Sequence, residues 1–176
     1  VILNEILISQ ESVNIVKKLI SKKEEDNNQD LLLLLQNQEK QEFEDSYEKY
    51  KHALKLKPKN IGTPKFYEAK DSNSCVIAIH GFSAAPKEME KLALFLNSKN
   101  LNVYTPRLEG HGTTPEDLKT KTWQDWYKSV SRSITIASLQ YKKVYIVGFS
   151  TGGLLALLST KKQYKEFVSL VCINAA

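Results

Sequence analysis

The sequence predicts a three-layer α/β/α fold, with helices on both faces of a mostly parallel sheet and a helical extension in front of it. Three observations carry that prediction. Short continuous apolar runs at 76–79, 144–147 and 167–173 have the length and β-branched content of strands buried on both faces of a parallel sheet. Segments of helical periodicity separate them, and a strand–helix–strand unit of this length requires a right-handed crossover and a parallel pair. Finally, six of the seven glycines (Gly81, Gly110, Gly112, Gly148, Gly152 and Gly153) fall in three loops that each follow a predicted strand. In an open parallel sheet such loops share one edge, where sites are normally built.

Composition bounds the rest. A chain of 176 residues buries one good core, so one globular domain with appendages is expected. Its 41% hydrophobic and 26% charged content is that of a soluble globular protein. The formal charge of +5 comes from lysines interleaved with glutamates, leaving no concentrated stripe to grip phosphates, so nucleic acid is not an expected partner. Cys75 and Cys172 sit beside or inside predicted strands and read as reduced core thiols, which fits a cytoplasmic setting. No apolar stretch approaches the roughly 18–20 residues of a membrane span. No signal peptide is legible, although a start at Val1 instead of Met leaves room for residues removed upstream.

Residues 1–60 read as a helical N-terminal extension and linker, and 61–176 as the domain that follows. Val13, Val16 and Ile20, widened by Ile15 and Leu19, mark an amphipathic helix over 11–21. A polar break is expected at 22–30. Five consecutive leucines, 31–35, are too few to span a bilayer and read as the buried side of a second helix. Phe43, Tyr47, Tyr50 and Leu54 then line one face of a helix over 39–56, ended by Pro58, with a linker over 57–64. His52, on that helix, reads as a surface residue.

Beyond the linker the pattern changes. An edge strand is expected at 66–69, a turn at 71–74, and a buried strand at 76–79 running into His80-Gly81-Phe82-Ser83. Pro86 opens a helix with Met89, Leu92, Ala93 and Leu96 on its apolar face, and Asn100 is its left-handed stop before a strand at 103–105. Thr114 and Thr122 each have the form of a helix cap, with an acid three residues on. The last two elements meet at Gly148-Phe149-Ser150-Thr151-Gly152-Gly153, with a β-branched run before it and an apolar helix after it. That is the context of a nucleophile elbow, where a serine at the tip of a sharp turn requires small residues two before and two after it.

Together, His80-Gly81-Phe82 after a strand, Gly110-His111-Gly112 with Pro115-Glu116-Asp117-Leu118, the Trp123/Trp126 pair and the Gly148–Gly153 elbow resemble the α/β-hydrolase superfamily. More narrowly they are similar to its bacterial carboxylesterase and monoacylglycerol-lipase-like branch. The resemblance covers 66–176. It implies a serine esterase or lipase, with Ser150 as nucleophile and the backbone N–H groups of Phe82 and Thr151 as the oxyanion hole. His80 and His111 would fix loops, with Gly81, Gly110, Gly112, Gly148 and Gly152 as structural motif positions. Phe149 reads as core packing, and Trp123 and Trp126 as helix anchors. No cofactor or metal is implied, and the substrate would be a small acyl ester or a lipid.

One departure qualifies this. In α/β-hydrolases the triad acid and base follow the serine in chain order. Here Glu166 is the only acid after Ser150, and no histidine follows it. Without a base the serine hydroxyl is barely nucleophilic, so the chain alone is expected to be inactive. Three readings stand: the N-terminal part of a serine esterase or lipase cut short of its C-terminal segment, a non-catalytic binding or interaction module that keeps the elbow as scaffold, or half of a split enzyme completed by a second chain. The unpaired apolar strand at 167–173 favours a missing piece over a finished module.

Overall fold

The computed structural model describes residues 24–161 and 165–175; the helix expected over 11–21 lies outside them. Helix α1 (Glu24–Lys49) leads through a one-turn helix α2 (Lys59–Gly62) to strand β1 (Lys65–Tyr67). β2 (Ser74–Ile79) is followed by a 3-10 turn (Pro86–Met89), α3 (Glu90–Ser98) and β3 (Asn102–Thr105). Then come α4 (Pro115–Lys119), α5 (Trp123–Gln140), β4 (Lys143–Phe149), α6 (Thr151–Ser159) and β5 (Phe167–Ile173).

The strands form one sheet in the order β1-β3-β2-β4-β5. β1 runs antiparallel to β3, and the other neighbours are parallel. Alternation along β2 divides the core. Cys75, Ile77 and Ile79 face Ile134 and Ala137 of α5 and Leu155 of α6, with Leu32 and Leu35 of α1 in the same cluster. Val76 and Ala78 face the opposite layer, with Met89 and Ala93. The result is the expected three-layer fold, helices on both faces of a mostly parallel sheet.

Several local expectations are met. Asn100 is left-handed at φ 62°, ending α3. The Thr114 hydroxyl accepts from the Asp117 N–H at 3.2 Å, capping α4. At the start of α5, the Thr122 N–H and hydroxyl both donate to the Asp125 carboxylate at 2.8 Å.

The N-terminal part differs from expectation. Residues 24–30, read as a polar break, are helical, because polarity without glycine or proline is no stop signal and Glu and Gln favour helix. The helix also ends at Lys49 instead of continuing to 56, and Leu54 projects into solvent. The chain leaves the helix to bring the Lys57 N–H to the Thr113 carbonyl at 3.1 Å, a tertiary bond that periodicity cannot reveal. The linker holds α2, whose Gly62 is buried. Helix α1 lies against α5, where Arg132 donates to both oxygens of Glu42 at 2.8 and 2.7 Å. Buried beside this pair, Glu39 accepts from the Tyr104 hydroxyl, and burial raises its carboxyl pKa. Cys172, read as a core thiol, is exposed on β5, while Cys75 is buried; both are free. Among the described residues, no helix is long and apolar enough to cross a membrane.

The Thr122–Asp125 arrangement gives a direct test. Asp125→Ala removes the acceptor of two hydrogen bonds and a negative charge from the N-terminus of α5, and costs about 1 kcal/mol in urea unfolding at pH 7. Hydrogen bonds from Thr122 hold the Asp125 pKa below its ordinary 3.8, so its contribution is complete above that pH and is lost on acidification through the lower folded value. The difference between wild type and variant therefore narrows below pH 3.8.

Candidate active site

The site is delivered by β4, which runs between β2 and β5 and turns into α6 through Ser150 alone. Ser150 has φ 51° and ψ −123°, a conformation that costs a side-chain-bearing residue about 1–3 kcal/mol. Close contacts explain the size of its neighbours. A Cβ on Gly148 would lie 2.4 Å from the Gly152 carbonyl oxygen, where β4 meets its own helix. One on Gly152 would lie 2.5 Å from the carbonyl oxygens of both Ile79 and His80, where the helix start crosses the end of β2. The second glycine thus answers to a neighbouring strand, not to its own turn.

The turn is tethered on the other side as well. The Ser150 N–H donates to the Ile173 carbonyl at 2.8 Å, and the Gly153 N–H returns to the Ser150 carbonyl at 2.8 Å. The Ser150 side chain is half-buried at a cavity of about 170 Å³, which is also lined by Gly81, Phe82, Ser83, Glu88 and Phe149. A Cβ on Gly81 would sit 3.4 Å from the Ser150 Cβ, so the loop after β2 lies directly alongside the serine. Among the described residues, the backbone N–H groups of Phe82 and Thr151 donate to no protein acceptor.

His80 is fully buried beneath this loop. Its Nε2 accepts the Leu108 N–H at 3.2 Å, which leaves the proton on Nδ1 to donate to the Gly81 carbonyl at 2.9 Å. Burial, then the nearby His111, hold its pKa down at about 3. His111 is packed against His80, Phe82 and Trp126 at ring distances of 5.0, 6.1 and 5.3 Å, and its Nδ1 lies 3.2 Å from the Glu109 carbonyl. Burial is again the main cause of its lowered pKa, about 4. The loop that carries it turns at Gly110 and Gly112, with φ 79° and 75°.

Arg107 and Asp117, which the sequence reading did not single out as a pair, brace that loop. The Arg107 Nε donates to the His111 carbonyl at 2.6 Å, and its guanidinium lies 3.3 Å from the Asp117 carboxylate, which also accepts the Thr113 hydroxyl at 2.6 Å. The available signal was an arginine two residues past the end of a strand, ten residues before an acid in a capped turn. Phe149 corrects the expectation of core packing: it is 42% exposed at the cavity rim, because the strand ends there. The tryptophans divide. Trp123 is exposed at the first turn of α5, and Trp126 packs on Phe82 at 5.6 Å. His52 is exposed, as read from the sequence. No group of three or more metal-ligating side chains is gathered among the described residues.

A serine strained between two close-packed glycines, at the strand-to-helix turn of a parallel sheet and beside a His-Gly-Phe loop, defines the α/β-hydrolase class. Within it, the chain belongs to the family described as serine aminopeptidase, S33, whose model it matches over residues 70–176. A thermostable monoacylglycerol lipase from Bacillus sp. (strain H-257) is 33% identical over 115 residues, 65% of this chain and 45% of the lipase. A carboxylesterase from Bacillus subtilis (strain 168) is 31% identical over 98 residues, 55% of this chain and 40% of the esterase. The solved structure of a metagenome-derived lipolytic enzyme aligns with a TM-score of 0.62 at 29% identity, covering 69% of this chain and 48% of that one. The chain therefore spans about half the length of the relatives it matches.

The two buried histidines set an acid limit on the fold. Both stay neutral in the folded state to about pH 3 and 4, whereas in the unfolded chain they take up protons near the ordinary 6.5. Between these values the unfolded state binds more protons, so the histidines' contribution is constant above pH 6.5 and stability falls as pH drops below it, by about 2 kcal/mol per histidine at pH 5. Glu90 and Asp125, whose values are depressed, contribute only at lower pH, whereas buried Glu39, whose carboxyl pKa is raised, takes up its proton more readily when folded and partly offsets the decline. Urea midpoints from pH 8 to 5 test this, and His111→Gln is expected to halve the decline.

Proposed function

We propose that the chain carries the nucleophile half of a serine hydrolase of the carboxylesterase or lipase type. Ser150 Oγ attacks the carbonyl carbon of an acyl ester, the alcohol leaves, and water later releases the acid from the acyl-enzyme. The unbonded N–H groups of Phe82 and Thr151 receive the oxyanion, and fixed donors of this kind are worth a few kcal/mol each in the transition state. The observation that carries this reading is the backbone of Ser150. A conformation that costs stability, held by Gly148, Gly152 and the Ile173 carbonyl, is retained where it presents a hydroxyl at the sheet edge beside free donors. Lipolytic and carboxylesterase relatives support an ester or lipid substrate, and free Cys75 and Cys172 fit a cytoplasmic setting.

The general base has to come from elsewhere. Both nitrogens of His80 are engaged by backbone, His111 is packed among aromatic rings, and His52 is exposed on the turn after α1. A triad acid and histidine on a further segment or second chain, docked beside β5, complete the site in this reading. Val168 and Val171 on β5, with Leu154 and Leu157 on α6, are 44–55% exposed there. Val171 pairs with Val147 and so looks to the side of the sheet opposite α6, which leaves apolar side chains uncovered on both sides of β5 and favours completion over a finished, non-catalytic binding module.

Two measurements test the proposal. A fluorophosphonate probe, with an extended chain supplying a downstream Asp and His, is expected to label Ser150 and to leave Ser150→Ala unlabelled. The 176 residues alone are expected to hydrolyse a p-nitrophenyl ester no faster than Ser150→Ala, since losing the triad base costs on the order of a million-fold in serine-protease examples. Turnover by the isolated chain that depends on Ser150 would overturn the missing-base argument, and no labelling of the extended chain would overturn the nucleophile.

A further inference from the structure

Residues 24–69 precede the segment matched by the family model, yet they touch the candidate site at three points. The Phe43 ring of α1, 2% exposed, lies 4.9 Å from the Arg107 guanidinium carbon, against the residue that braces the His111 loop. Gly62 of α2 meets Gly112 backbone to backbone. A Cβ on Gly112 would lie 2.3 Å from the Gly62 Cα, and one on Gly62 would lie 2.8 Å from both the Gly112 carbonyl oxygen and the Phe43 ring. Between them, the Lys57 N–H bonds the Thr113 carbonyl at 3.1 Å, and the Lys57 ammonium reaches the Ser83 carbonyl at 3.3 Å, one residue beyond Phe82. The loop at 107–113 has no secondary structure of its own and contains two residues at positive φ, so its shape depends on what surrounds it.

We propose that the N-terminal segment is a built-in clamp on the site, in which Phe43, acting through Arg107, and Gly62, acting on Gly112, hold the 107–113 loop and its His111 ring against the Phe82 turn. Phe43 and Gly62 are then positioning residues that touch no substrate. The bearing of the clamp on catalysis rests on the Ser150 and Phe82 reading; the clamp itself does not.

Trp126, packed on both Phe82 and His111, is the reporter, and Trp123→Phe leaves it the sole tryptophan. In that background Phe43→Leu, which keeps apolar bulk but removes the ring face, is expected to raise acrylamide quenching of Trp126 roughly twofold. Amide exchange over 107–113 should quicken roughly tenfold, while β4 stays as protected as before. Phe43→Tyr restores both readouts, and Gly62→Ala reproduces the loosening by pushing α2 off Gly112. Leu35→Ala, buried in α1 but packed on the sheet-side cluster, separates clamping from general loss of α1 packing. Unchanged quenching and exchange in Phe43→Leu, or equal loosening in Leu35→Ala, overturns the clamp. Loosening of the loop in a chain whose Ser150 never reacts with a fluorophosphonate, even when extended, supports the clamp and defeats only the nucleophile reading.

Discussion

The close approach of three backbones at the end of β4 is the constraint on which the rest depends. Helix α6 starts so near to β4 that no side chain fits at Gly148, and so near to β2 that none fits at Gly152. Ser150 is left to absorb the turn, at a dihedral pair that L-residues avoid. Such a conformation persists only if its surroundings over-determine it. Here β2 supplies the floor through the Ile79 and His80 carbonyls, and β5 supplies a tether through the bond from the Ser150 N–H to the Ile173 carbonyl. The order β2-β4-β5 is thus a condition for the turn as well as a description of the sheet.

The same edge concentrates buried polar groups, which would be costly if unpaired. Their pairing explains their presence. His80 ties the loop after β2 to the loop after β3 by using one nitrogen on each, and its depressed pKa follows from burial in that bridge. Arg107 and Asp117, 4% and 3% exposed, form an ion pair whose desolvation alone would be a poor source of stability. Their further bonds to the His111 carbonyl and the Thr113 hydroxyl make the pair a crosslink that fixes a loop with two positive-φ glycines. Geometry is what these groups contribute.

Legibility in the sequence follows the range of the interactions. The apolar runs of β2, β4 and β5, the Thr114 and Thr122 caps and the left-handed Asn100 are set by neighbours a few residues away, and each stands where it was expected. The end of α1 was not legible, because it is fixed by a bond from Lys57 to Thr113, fifty-odd residues downstream. The same holds for Gly62, the one glycine outside the three loops, which proves to pack on Gly112 inside one of them. Phe149 and Cys172 read as core because their strands are apolar, and strand composition does not tell the end or edge of a sheet from its middle.

Exposure across the sheet shows where the elbow is least supported. Cys75, Ile77 and Ile79 on β2 and Val144 on β4 are fully buried, whereas Val168 and Val171 on β5 are half exposed, and so are Leu154 and Leu157 on the adjoining helix. Apolar area left in water contributes nothing to holding β5 in register. Yet β5 carries the Ile173 carbonyl that fixes the Ser150 N–H. An edge strand with one flank unpaired opens more readily than a central one, and its local stability is inherited by whatever it tethers. Covering the outer face of β5 would therefore do two things through one set of contacts: bury the exposed valines, and stiffen the strained turn that presents Ser150.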